Sequence, residues 1–264
     1  MRTPLLALAA PAALVLGSGC HINFDGIDSY YVDGVRLGEE HEEVLELTTW
    51  SEQGLSVAVN AGDVEILHGA GPTRIEAQIH EVSLGDGYLE YRDGKLVVET
   101  HSGEPAVLGK VTVWTDQPLT SLHASSGMGD VVVEDVAVNG ELSLSTGAGD
   151  ISVELDGAPT EASASTGMGD IRLVAFDCTA LDASTGMGDV YVRSVESQLA
   201  SLSSGMGDVE VHGSRFVELD ASTGMGDVDV IETDCEHADL DSGLGSVTRT
   251  RTHHEVEEGE TREL

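Results

Sequence analysis

Six aspartates recur at a near-constant interval: Asp130, Asp150, Asp170, Asp189, Asp208 and Asp227, separated by 20, 20, 19, 19 and 19 residues. Each closes a segment of the form Ser-Ser/Thr-Gly-Met/Ala-Gly-Asp, and a degenerate copy, Asp-Ser-Gly-Leu-Gly-Ser, ends at Ser246. A row of carboxylates can collect hard divalent cations such as calcium, or two of its members can act as acid and base on a glycosidic bond. The plainer role is structural, because Asp beside Gly accepts hydrogen bonds from turn amides and keeps the surface soluble. Calcium wants about six to eight oxygens, and two neighbouring aspartates supply at most about four. The expectation is therefore weak, mostly non-specific calcium association, with no specific metal site and no cofactor.

Other chemistry-bearing residues are sparse. His253 and His254, with Glu255 and Glu257 nearby, could ligate a metal, but they sit in an acidic tail without fixed partners and read as solvated. No Gly-x-Ser-x-Gly elbow, His-Glu-x-x-His motif or phosphate loop occurs. The expectation is a protein that is not an enzyme. A carbohydrate-active β-helix enzyme is the main alternative, since some solenoids hydrolyse or cleave polysaccharides. A periplasmic protein-binding scaffold is a further one.

Composition narrows the partner. Lys and Arg total 12 against 48 Asp and Glu, a net charge of −36. That excludes nucleic acid, whose phosphates need basic residues, and a basic-patch attachment to anionic lipid. Glycine is plentiful at 32 residues, while Trp, Tyr and Phe number 2, 5 and 3. A core with so few aromatics points to thin, repetitive packing.

The elements that position the aspartates follow from the repeat. One and three places after each Asp stand apolar pairs: Val131/Val133, Ile151/Val153, Ile171/Leu173, Val190/Val192, Val209/Val211 and Val228/Val230. Eight and six places before stand Leu122/Ala124, Leu142/Leu144, Ala162/Ala164, Leu181/Ala183, Ala200/Leu202 and Leu219/Ala221. Period-two alternation marks strands with one buried face. Each unit is thus two strands joined at Gly-Met-Gly-Asp, and stacked units bury one another's apolar faces. The fold expected is all-β: a single-stranded parallel β-solenoid, right-handed by the crossover rule, with about 19–20 residues per coil. From Leu181 onward the inward pairs alternate large-small and small-large, which suits stacking at native density. The Met between the glycines keeps the inward parity. Met128, Met168, Met187, Met206 and Met225, with Ala148 and Leu244 as variants, are therefore expected as an internal ladder.

Outside the regular repeats, Leu55 to Ile66 fits the same template, ending in Ala61-Gly62-Asp63-Val64, and Asp93-Gly94 marks a hairpin. The organisation expected is a removable leader at 1–20, an acidic tether and first strand at 21–50, irregular N-terminal coils or a cap at 51–120, regular solenoid at 121–247, and an edge plus charged tail at 248–264. Arg249 and Arg251 are expected on the last edge, blocking it against strand addition. Cys178 and Cys235 occupy the same coil position three repeats apart, about 14 Å at ~4.8 Å per coil, too far for a disulfide, so both are expected as free thiols.

Two resemblances complete the reading. The apolar run Leu5 to Leu16 followed by Gly17-Ser18-Gly19-Cys20 resembles the signal and lipobox of bacterial lipoproteins, with Gly17 where that pattern has Leu. It implies lipidation at Cys20, a membrane partner through the lipid, and a place in the bacterial envelope. His21, rather than an Asp, implies the outer membrane. The run of Ser-Thr-Gly-x-Gly-Asp-Val/Ile-x-Val units, with Leu55 to Ile66 before it, resembles the bacterial β-strand-repeat family named "putative adhesin". It implies a β-solenoid on the envelope with a structural or adhesin-like role, its partner a protein or polysaccharide at the cell surface, and it supplies no catalytic residues.

Overall fold

The computed structural model describes residues 22–24, 30–32, 34–47 and 54–250. Among them there are strands and turns and no helix, and most strands fall into an 11-stranded and a 10-stranded sheet. The solenoid repeat is plain in the strand order. Val131–Val136, Ile151–Leu155, Ile171–Val174, Val190–Arg193, Val209–His212, Val228–Ile231 and Val247–Thr250 stack in parallel in one sheet. Leu119–Met128, Val138–Ala148, Glu161–Met168, Asp177–Met187, Glu196–Met206, Arg215–Met225 and Asp234–Leu244 stack in the other. Each coil contributes one long and one short strand. Their inward side chains merge into a single apolar core.

Identical repeat positions stand in register from coil to coil. Val190 pairs with Val209 and Val209 with Val228. Leu181, Ala200, Leu219 and Ala238 form one column, and Ala183, Leu202, Ala221 and Leu240 the next. The large-small alternation read from the sequence is therefore a real packing pattern. Where one column is wide its neighbour is narrow, and a branched Leu fills the room left by Ala above and below.

The second corner, after the short strands from Ile171–Val174 to Val228–Ile231, uses a different device. Ala175, Ser194, Gly213 and Glu232 share one coil position and all take a left-handed backbone, with φ of 59°, 54°, 54° and 51°. Only one is glycine, so three L-residues hold a conformation that costs each about 1 kcal/mol. The next residues, Phe176, Val195, Ser214 and Thr233, are buried and lock the corner. The Val195 amide donates to Ser214 Oγ at 3.2 Å.

Stacking order departs from chain order near the N-terminus. The coil made of Leu55–Val59 and Val64–His68 has the 119–136 coil on one side. On its other side lie Lys95–Thr100 and part of Ala106–Thr115, also parallel to it. The chain leaves the first coil, runs outward, returns, and then crosses to the opposite side to begin the regular stack. The outer strands are antiparallel: Thr73–Glu81 against Ala106–Thr115, Gly87–Arg92 against Lys95–Thr100, and Glu39–Leu47 against Thr73–Glu81. The Asp93-Gly94 hairpin is present, with both residues at positive φ. The acidic run Glu39 to Glu43 lies within an edge strand, where carboxylates discourage further pairing. Beneath it Glu81 is 1% exposed. Its carboxylate accepts the amides of Gly85 and Gly87 and sits 2.8 Å from His41 Nδ1.

At the other end Val247–Thr250 is the last strand of its sheet. Arg249 stands in the core column, in register with Val230. Its guanidinium donates to the Cys235 carbonyl at 3.3 Å and lies 2.9 Å from Cys235 Sγ, so a charged group closes the apolar interior. Arg251, the His253/His254 pair with Glu255 and Glu257, and Cys20 with its leader lie outside the described residues.

Candidate functional site

The first corner of every coil is built by the repeated Gly-x-Gly-Asp, and its hydrogen bonds cross between coils. The Asp Oδ1 of each coil accepts the backbone amide of the Asp one coil on: Asp150 to Asp130, Asp170 to Asp150, Asp189 to Asp170, Asp208 to Asp189 and Asp227 to Asp208, at 2.7–2.8 Å. All six predicted aspartates are therefore brought into one row. Asp63 extends it to seven, accepting the Asp130 amide at 3.0 Å. Ser246 N–H closes the series on Asp227 at 2.7 Å. Ser246 holds the Asp227 carboxyl below the ordinary aspartate range through that amide and a further side-chain hydrogen bond.

The same corner satisfies its other polar groups. Thr185 Oγ1 donates to the Gly169 carbonyl at 2.9 Å, and the Gly188 amide donates to the Met206 carbonyl at 2.9 Å. Equivalent bonds recur at Thr146, Thr166, Ser204 and Thr223. Both glycines are required. A Cβ on Gly186 would stand 2.6 Å from the Gly167 carbonyl oxygen, and one on Gly188, at φ +140°, 2.1 Å from that of Gly169.

This geometry overturns the expected internal Met ladder. Met128, Met168, Met187, Met206 and Met225 are 42–50% exposed, and Leu244 is 69% exposed. The inward parity ends two residues sooner, at the buried Ser126, Thr146, Thr166, Thr185, Ser204 and Thr223. Those hydroxyls face inward because each finds a Gly carbonyl across the corner. Two glycines then swing the chain through the turn, and the residue between them faces out. Met128, Ala148, Met168, Met187, Met206, Met225 and Leu244 thus form an outward column, in register where Met168 pairs with Met187 and Met206 with Met225. At ~4.8 Å per coil the ridge runs for roughly 29 Å, with the aspartate row two residues along the chain beside it.

A second feature lies at the other corner. A groove of about 610 Å³ is lined by Cys178, Ser197, Phe216 and Cys235, with Glu196 and Arg215 paired at 3.0 Å on its rim. Cys178, Ser197, Phe216 and Cys235 form one column, so two residues separate the thiols, and both cysteines are free as expected. Burial pushes the Cys178 thiol up from its ordinary value, which makes it a poor nucleophile at neutral pH. Among the described residues no group of three His, Cys, Asp or Glu side chains is arranged to hold a metal ion.

Comparison with curated proteins finds no match. Solved structures with a similar fold include a "putative adhesin" from Parabacteroides merdae, 13% identical, covering 80% of this chain and 97% of that one at a TM-score of 0.48. A "putative adhesin" from Parabacteroides distasonis is 12% identical, covering 79% and 96% at 0.45. A "putative lipid binding protein" from the same species is 9% identical, covering 80% and 98% at 0.40. Likeness at this level carries no argument about what this chain binds. The family assignment rests on the repeats themselves: residues 81–256 match the Toastrack DUF4097 model, well over half of the chain, and the protein belongs to that family.

Proposed function

We propose that the protein is a lipid-anchored, adhesin-like binding module of the bacterial outer membrane, whose contact surface is the Met ridge and its flanking aspartates. The observation that carries the binding role is the ridge, a continuous apolar row held outward by the fold. Large exposed apolar patches mark interaction sites, and Met adapts its shape to different partners. The aspartate row and the net charge of −36 set the partner's sign. Two copies mating through this edge would appose two acidic rows, so self-association is disfavoured. A saccharide calls for aromatic platforms, and the ridge has none. The occupant favoured is an extended protein segment with apolar side chains and interspersed Lys or Arg. The anchor reading is supported by the leader and Cys20.

A synthetic peptide of alternating leucine and lysine is the probe. The full chain should bind it in a salt-sensitive manner. Replacing Met168, Met187, Met206 and Met225 together by Gln should weaken binding at least ~tenfold, about 1.4 kcal/mol. Unchanged affinity in that variant would remove the ridge from the contact. In cells, Cys20→Ala should move the protein from the membrane to the soluble fraction, and full retention would overturn the anchor.

The aspartate row in this reading attracts counter-ions without selecting them. One oxygen of each carboxylate from Asp63 to Asp227 is already committed to an amide. Calcium and sodium at matched ionic strength should therefore raise the thermal midpoint alike. Saturable calcium binding in the micromolar range, lost on Asp189→Asn with Asp208→Asn, would make the row a true ligand site.

A further inference from the structure

The ridge carries a chemistry that protein docking does not use. Five of its seven side chains are methionines, each carrying a thioether sulfur, an uncharged and polarizable electron-pair donor. Soft sulfur ligands select monovalent copper over hard cations, which prefer carboxylate and water. A lone exposed Met is a poor ligand, and affinity comes from several sulfurs converging on one ion. The fold arranges that convergence. Met168 is the direct cross-coil partner of Met187, and Met206 of Met225. The Gly188 amide donates to the Met206 carbonyl at 2.9 Å, so Met187 and Met206 also stand on successive coils. Four Met backbone positions thus rise in line at intervals of ~4.8 Å. Each side chain is unbranched, flexible and 42–50% exposed, so neighbouring sulfurs can close on one ion without moving the backbone. The run is bounded: Ala148 precedes it and Leu244 follows, leaving Met128 with no Met beside it. The aspartate row two residues along supplies a negative field that draws a cation to the ridge.

We propose that Met168, Met187, Met206 and Met225 form a binding site for a soft monovalent metal ion, Cu(I) or its redox-inert analogue Ag(I). Four thioethers taken in pairs hold about two ions per chain. The site needs no partner protein, so it stands or falls separately from the docking reading.

Silver nitrate alone, in chloride-free buffer, is the probe, titrated into the full chain by calorimetry after alkylation of its free thiols. The titration is run at about pH 5, because protons compete with silver for imidazole nitrogen while thioethers do not titrate. Saturable uptake of about two ions should persist there, and at least ~tenfold of the affinity should be lost in Met187→Leu with Met206→Leu, which isolates the two remaining sulfurs. Leucine conserves volume and apolarity, so the circular dichroism spectrum and the binding of the leucine-lysine peptide should be retained. Met128→Leu should leave the titration unchanged. Ala148→Met should raise the capacity by joining Met128 to the run. Silver binding by the double Leu variant equal to wild type, or no saturable uptake by wild type at micromolar silver, would overturn the proposal.

Discussion

Gly188→Ala is expected to lower the free energy of unfolding by at least ~3 kcal/mol, among the largest effects of any single exposed-corner substitution in this chain. Two separate costs meet at this position. Its φ of +140° is one that L side chains rarely adopt. The added Cβ would also lie 2.1 Å from the Gly169 carbonyl oxygen and 2.8 Å from Asp170 Oδ1. Both contacts are to the neighbouring coil: the first atom is backbone, and the second is a carboxylate oxygen already held by the Asp189 amide. Relief requires the two coils to separate at the corner. That would stretch the Asp189-to-Asp170 bond of 2.8 Å and the Thr185-to-Gly169 bond of 2.9 Å. Gly213→Ala is the matched control. Gly213 is also left-handed, at φ +54°, but nothing lies within 4 Å of its missing Cβ. Its loss should cost only about 1 kcal/mol. Urea unfolding followed by circular dichroism measures both, and near-equal midpoints would mean that the coils are not packed this closely.

The contrast between those two glycines shows what the sequence could reveal. The first corner is legible because its constraints are chemical: steric exclusion keeps Gly, and hydrogen bonding keeps Ser or Thr and Asp, in coil after coil. The Val and Ile columns are legible for the same reason, as a buried strand face tolerates little else. The second corner is nearly silent. Ala175, Ser194, Gly213 and Glu232 adopt one backbone conformation with four residue types, because the buried residues after them hold the turn. The outward Met ridge departs from the inward alternation for a related reason. Alternation predicts direction only while the strand continues, and a Gly-x-Gly corner ends it. The cue that could have placed the turn was the Ser or Thr before each first Gly, a polar residue in the inward register. The crossing of the chain from Ala106–Thr115 to Leu119–Met128, past the first coil, leaves no local signal at all. It depends on which edge of an already formed coil is open. Asp63 belonged to the aspartate row all along, and Ala61-Gly62-Asp63-Val64 carried its signal at an irregular distance from the others.

Leu202→Ala should cost about 2–5 kcal/mol, because it removes the one large side chain between two small ones. Leu202 is 1% exposed, with Ala183 on the coil before and Ala221 on the coil after. Neither alanine can reach into the space left, and the neighbouring column holds its own Leu181 and Leu219 about the narrow Ala200. Collapse would require the coils to approach each other, which backbone hydrogen bonds at their fixed ~4.8 Å spacing forbid. The complementary change, Ala200→Leu, overpacks its column and should cost about 1–3 kcal/mol. The two together conserve composition and total volume within a single coil. A core governed by volume alone would tolerate that exchange at little cost. A core of fixed columns would not, since the swap puts three leucines in one column and three alanines in the next. The double variant is therefore expected to lose about the sum of the single losses, while Leu199→Ala, 51% exposed on the same strand, should stay within ~0.5 kcal/mol of wild type. Recovery of near wild-type stability in the double variant, by urea unfolding, would show that these side chains repack across columns and that the alternation is incidental.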